Sequence, residues 1–203
     1  MPTSQTLIRA PELALHLENP DWVLVDVRHD LSDHAAGRRQ YDKGHLPGAH
    51  FLSVETDLSG TKNGHNGRHP LPDVDDFAAT LSAIGIDGTK QVVAYDQAVN
   101  TYSGRLWWML RWVGHRNVAV LDGGVDAWIR AGLPVNTQVP ARKPARFAAQ
   151  ISESPVSVQT VIRNIEDLEM MMVDARGADR FRGENETIDP VGGPIPGATN
   201  RFF

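Results

Sequence analysis

Leu24-Val25-Asp26-Val27-Arg28 returns near the end of the chain as Met172-Val173-Asp174-Ala175-Arg176. Gly44-His45-Leu46-Pro47-Gly48-Ala49-His50 returns as Gly193-Pro194-Ile195-Pro196-Gly197-Ala198-Thr199. The separation is almost constant, 148 residues from Asp26 to Asp174 and 149 from Gly48 to Gly197. A fixed period of this kind marks a duplicated structural unit, so one fold must be built twice. Ile8, Leu13 and Leu17 match Val156, Val161 and Ile165 in the same register. We read a complete first domain over residues 6–135, a linker rich in Pro, Ala, Arg and Ser over 136–155, and the first part of a second domain over 156–203. The parts of copy one that follow its Pro-Gly-Ala motif have no counterpart in copy two.

The apolar pattern sets the fold class. Continuous apolar runs at 22–25, 91–95 and 117–121 suit strands buried on both faces. Helical patterns at 75–84, from about Ser103 onward and at 125–131 alternate with them, which indicates an α/β fold with a parallel sheet flanked by helices. Residues 53–73 read as a long loop, a feature often tied to function. The polar, Arg-rich stretch after Arg28 also reads as loop, and residues 170–173 read as the second copy's first buried strand.

Composition narrows the partners. A formal net charge of -5 gives no sign of a nucleic-acid or membrane surface. No window approaches the ~18 apolar residues of a membrane span, and the opening residues lack a basic region followed by an apolar run, so a cytoplasmic protein is expected. The chain has no cysteine, hence no disulfide, no thiol nucleophile and no thiolate metal ligand.

In such a sheet, ligands bind beyond the carboxyl ends of the strands. Three segments of copy one end there: Asp26-Val27-Arg28, the loop after Tyr95, and Asp122-Gly123-Gly124. Amides of the loop from Asp96 to Ser103 could cradle an anion, although a carboxylate at Asp96 more simply caps the following helix. The Asp-x-Arg pairs Asp26–Arg28 and Asp174–Arg176 read as strand-end hydrogen bonding. Arg180 has no match in copy one, and its guanidinium fork suits a carboxylate or sulfonate. His65 and His69 have the spacing of zinc ligands on a helix, but the glycines and proline around them argue against a helix, so no metal site is expected. No hydrolase elbow and no dinucleotide-binding glycine pattern is present. The tryptophans at 107, 108, 112 and 128 read as core.

Taken together the motifs resemble the rhodanese family of tandem-domain thiosulfate and 3-mercaptopyruvate sulfurtransferases. The residues that carry the resemblance are Val25-Asp26-Val27-Arg28, Gly44-His45-Leu46-Pro47-Gly48-Ala49, Gly67-Arg68-His69-Pro70-Leu71-Pro72, Arg105-Leu106-Trp107-Trp108 and Leu121-Asp122-Gly123-Gly124. Copy two adds Asp174-Ala175-Arg176, Arg180-Phe181 and Pro196-Gly197-Ala198. The resemblance implies a first domain that is non-catalytic, with Asp96 where the active copy has its cysteine. It implies that a cysteine of the second domain takes a sulfane sulfur from thiosulfate or 3-mercaptopyruvate as a persulfide. That sulfur then passes to a thiophile such as cyanide. It assigns Arg180, Arg176 and His69 to the donor anion, with no cofactor and no metal. The counterpart of Asp96 would fall at roughly position 245 by the repeat, so the chain is expected to be the inactive front part of a longer sulfurtransferase. The alternative is a non-catalytic rhodanese-type binding or regulatory module.

Overall fold

The computed structural model describes residues 4–141 and 143–202. Residues 1–3, 142 and 203 lie outside it, and with them the opening residues read for a leader, one position of the expected linker and the last position of copy two. The chain divides into two units, Met1–Glu153 and Ser154–Phe203.

In the first unit, β1 (Leu7–Ile8), β2 (Trp22–Asp26), β3 (His50–Phe51), β4 (Gln91–Tyr95) and β5 (Val118–Leu121) form one sheet in the order β1-β5-β4-β2-β3. Every ladder is parallel. The pairing of β2 with β4 runs from Trp22 opposite Gln91 to Asp26 opposite Tyr95. Side chains alternate across the sheet. Val23, Val25, Val92 and Ala94 enter a core with Phe77 and Leu81 of α3 (Val74–Ala83) and Leu106 and Met109 of α4 (Thr101–Trp112). Leu24, Val93, Tyr95 and Leu121 enter the opposite core with Leu13 of α1 (Ala10–Ala14) and Trp128 of α5 (Gly124–Arg130). Both faces are covered, which is why the strands read as unbroken apolar runs. Each fully buried aliphatic side chain contributes about 1.5–3 kcal/mol.

Local signals set the helix ends. Asp73 caps α3 by accepting from the Asp75 amide at 2.8 Å, and Asp75 and Asp76 add negative charge to its first turn. Gly114, at φ +89°, follows the end of α4 where a left-handed residue closes a helix.

Two expectations are corrected here. The polar stretch read as loop after β2 contains α2 (Ala36–Lys43), which buries only Gly37 and Tyr41 and so shows no apolar stripe. Gly37 is required, because a Cβ there would lie 1.7 Å from the Arg28 carbonyl oxygen. The segment expected as a linker is instead a strap on the first unit up to residue 153. Asn136 bridges His45, Ala145 donates to the Ser82 carbonyl at 2.9 Å, Gln150 donates to the Val113 carbonyl at 3.0 Å, and Phe147 is buried. One apolar anchor in a Pro- and Ala-rich stretch leaves no period to read, since backbone hydrogen bonds hold most of it.

The second unit holds α6 (Val158–Asp167), β6 (Val173–Asp174), α7 (Ala178–Phe181) and β7 (Thr199–Asn200). Its ladder pairs Val173 with Thr199 and Asp174 with Asn200, matching Val25–His50 and Asp26–Phe51 in copy one. The strand expected at 170–173 is therefore shorter and shifted toward Asp174. No strand forms at Val156, the match of Ile8; in copy one that strand exists by pairing with β5. No helix among the described residues is long and apolar enough to cross a membrane.

Candidate functional site

The site grows from the carboxyl ends of β2 and β4. The Asp96 carboxylate follows β4 and is buried. Its Oδ1 accepts from the Asn100 amide at 3.0 Å. Its Oδ2 accepts from the amides of Tyr102 at 2.9 Å and Ser103 at 3.2 Å, and from the Ser103 hydroxyl at 3.2 Å. Asn100 takes a left-handed φ of 60° as the chain turns into α4. The loop is thus an anion cradle at a helix start, and in this copy its own carboxylate fills it. Gly124 fits under the loop because it has no side chain; a Cβ would meet the Asp96 carbonyl oxygen at 2.5 Å.

Beside it, Asp26 and Arg28 form a buried fork. Arg28 Nε donates to both Asp26 oxygens at 3.1 and 2.9 Å, and Nη2 donates to Oδ2 at 2.6 Å and to the Gly44 carbonyl at 2.8 Å. Burial pushes the Asp26 carboxyl up from its ordinary value, against the opposing pull of Arg28. Arg176 repeats this arrangement atom for atom. It reaches the Asp174 oxygens at 3.1, 3.1 and 2.7 Å and the Gly193 carbonyl at 2.7 Å. In both copies the fork ties the end of a strand to the turn before the next one.

Arg180 is differently engaged. Its Nε and Nη2 donate to the two Glu186 oxygens at 3.0 Å each, and Nη2 also reaches Asp189 at 2.9 Å. Arg176 Nη1 approaches the same Glu186 carboxylate at 3.4 Å. The Arg180 hydrogen bond, helped by the amides of Asp189 and Ile188, holds the Glu186 carboxyl down at about 2. The two arginines therefore clamp a carboxylate supplied by the chain itself.

His69 does not meet His65, whose residue is exposed. It meets Glu55, Nε2 to Oε1 at 2.5 Å, with the His34 and His29 rings on the same oxygen at 3.6 and 3.9 Å. Burial works to raise the Glu55 carboxyl, but hydrogen bonds from Lys62 and His69 and the charge of His69 and His34 hold it down at about 2. Arg105 of α4 stakes this loop in place, its Nη2 donating to the carbonyls of Leu58 at 2.7 Å and His69 at 3.0 Å. Sequence reasoning passed over Glu55, His29 and His34. The signal was available: all three, with His69, lie in the segments that leave β2 and β3 at the carboxyl edge of the sheet.

The rhodanese-like domain family matches residues 9–131. The chain is 41% identical over 204 residues to a probable 3-mercaptopyruvate sulfurtransferase of Pseudomonas aeruginosa, covering 99% of this chain and 72% of the relative. It is 33% identical over 172 residues to the thiosulfate sulfurtransferase of Bos taurus, covering 82% of this chain and 57% of the relative. Among solved structures, the 3-mercaptopyruvate sulfotransferase SseA of Escherichia coli superposes with a TM-score of 0.81 at 29% identity, over 97% of this chain and 74% of that one.

Proposed function

The chain belongs to the rhodanese-like family, and from that premise we propose that it is the donor-binding front part of a cytoplasmic sulfurtransferase. Its relatives are sulfurtransferases. The nucleophile in this reading is a cysteine outside these 203 residues, which contain none. Residues 6–135 are the non-catalytic copy, and residues 156–203 begin the catalytic one.

The observation that carries the reading is the filled cradle at Asp96. Three amides and a hydroxyl converge on one buried anion. The same loop with a cysteine in place of the aspartate would hold a thiolate and then a persulfide, because amide donors and a helix start favour negative charge. With thiosulfate, the thiolate attacks the outer sulfur, the sulfur–sulfur bond breaks and sulfite leaves. With 3-mercaptopyruvate, the carbon–sulfur bond breaks and the carbon takes a proton to give pyruvate. Cyanide then removes the outer sulfur of the persulfide as thiocyanate and restores the thiolate. Arg180 and Arg176 would exchange Glu186 for the donor's carboxylate or sulfonate, which the forked guanidinium suits. The exposed apolar face of the second unit, at Val158, Ile162, Met171 and Val173, supports a further segment of the second copy as its cover.

The test begins with the intact mass of the native polypeptide and continues with its turnover of both donors. A mass well above 22.3 kDa with a cysteine in the added segment, and a kcat/KM that falls by about 100-fold in Arg180→Ala, would bear the reading out. A native mass of 22.3 kDa would leave a non-catalytic rhodanese-type module. Turnover by the 203-residue chain alone would overturn the cysteine mechanism.

A further inference from the structure

We propose that His29, Glu55 and His69, joined by His34, form a binding site for Zn²⁺ in the first unit. The four groups come from separate stretches. His29 leaves the end of β2, His34 precedes α2, Glu55 follows β3 and His69 sits in the long loop before α3. Their imidazole Nε2 atoms surround a single oxygen, Glu55 Oε1, at 2.5, 3.6 and 3.9 Å for His69, His34 and His29. The donor atoms of His29, Glu55 and His69 all lie within 4.8 Å of one another. Tetrahedral zinc with nitrogen and oxygen ligands places its donors about 3.3 Å apart. The three nitrogen–oxygen distances bracket that spacing, and entry of the metal would open the His69–Glu55 hydrogen bond.

A second feature points to a ligand. His29 Nε2 is buried and has no hydrogen-bond partner. A buried, unpaired imidazole nitrogen is costly unless something fills the place. The ring is held there by the edge contact with Tyr102, at 5.0 Å between centroids, and by the rings of His34 and His69 at 5.5 and 5.6 Å. Burial also lowers the His29 pKa, which favours the neutral imidazole that a metal requires. Lys62 occupies the other Glu55 oxygen at 3.0 Å. It leaves Oε1 to the histidines and orients the carboxylate as an outer partner does. Three imidazoles and one carboxylate favour Zn²⁺ over Mg²⁺ or Ca²⁺, which take oxygen ligands. The sequence expectation of no metal site rested on the His65–His69 spacing; the ligands converge instead through strand order.

The experiment is calorimetric titration of the whole chain with Zn²⁺ against a competing chelator, with Co²⁺ absorption as a second readout. The chain contains no thiol to contribute to either. One equivalent should bind. His29→Gln and His69→Gln should each weaken binding by at least about 100-fold, beyond the 10–100-fold of an outer partner. His34→Ala, at an exposed position, should weaken it by about 10-fold and gives a readout independent of core packing. His65→Ala should change nothing. Absence of stoichiometric binding, or parental affinity in both His29→Gln and His69→Gln, overturns the proposal. Occupation would withdraw His69 from a donor anion. The titration measures no sulfur transfer, so its failure leaves the sulfurtransferase reading standing, and failed turnover leaves the metal site standing.

Discussion

The two copies share a strand-end lock and differ in almost everything around it. Arg28 and Arg176 grip their aspartates and the carbonyls of Gly44 and Gly193 at nearly the same distances. Yet the matching strand residues, Val25 and Val173, are 0% and 56% exposed. Val25 has strands on both sides and helices on both faces, whereas Val173 has one neighbouring strand. Geometry at the lock is set within a few residues plus one turn, so it survives in either setting. Burial is set by strands far along the sequence, and among the described residues only copy one has them.

Removing the aspartate should expose that difference most strongly. Asp26→Ala would leave the Arg28 guanidinium buried without its counter-charge, an uncompensated loss of about 3–5 kcal/mol. Asp174→Ala removes a pair whose side chains are 13% and 26% exposed, and should cost markedly less. Urea unfolding followed by tryptophan emission reads the first, because all five tryptophans precede residue 154. Amide exchange at Thr199 and Arg201, which donate across the β6–β7 ladder, reads the second. Equal costs would mean that the lock's value is local and that burial adds nothing to it.

The same division explains what could be read from sequence. The run Gln91-Val92-Val93-Ala94-Tyr95 is β4 residue for residue, because a strand covered on both faces writes its burial into every position. The repeat offset located β6 and its partner turn, although the strand proved shorter than its apolar run. Helix α2 was missed because Arg38, Arg39, Gln40, Asp42 and Lys43 crowd a helix that buries only Gly37 and Tyr41. The strap over residues 136–153 was missed because, among its described residues, Phe147 is the only buried side chain and backbone bonds hold most of the rest. Of the residues named for the site, Asp96 capped its helix as its position suggested. The partners of His69 and Arg180 were passed over. Glu55 and His29 reach His69 only through the placement of β2 and β3, and Glu186 closes on Arg180 through the turn after α7.

A smaller effect tests whether copy one has kept the architecture of a sulfur-carrying loop. Asp96→Cys puts the chain's sole thiol into the cradle made by Asn100, Tyr102 and Ser103. Those amides should lower its pKa by at least about one unit from the ordinary 8.5, roughly 1.4 kcal/mol in favour of the thiolate. The pH dependence of alkylation by iodoacetamide measures it directly. A thiol titrating at or above 8.5 would show that the cradle is shaped for a carboxylate alone. The likeness between the copies would then end at the Asp–Arg lock.

The subtlest difference lies in two carboxylates held at about the same pKa by different neighbours. Glu186 is held at about 2 chiefly by Arg180, whereas Glu55 is held at about 2 against its own burial by Lys62, His69 and His34. Both folded values lie below the unfolded value near 4.5. Each group therefore contributes stability that is full above about pH 4.5 and is lost as the pH falls toward 2. Neutral substitutions should part the two. Carboxyl carbon shifts followed by NMR from pH 1 to 6 should show the Glu186 midpoint rising toward 4.5 in Arg180→Gln, and the Glu55 midpoint rising less in Lys62→Gln, because His69 and His34 still face its oxygen. An equal rise at both residues would mean that Lys62 alone holds Glu55 down.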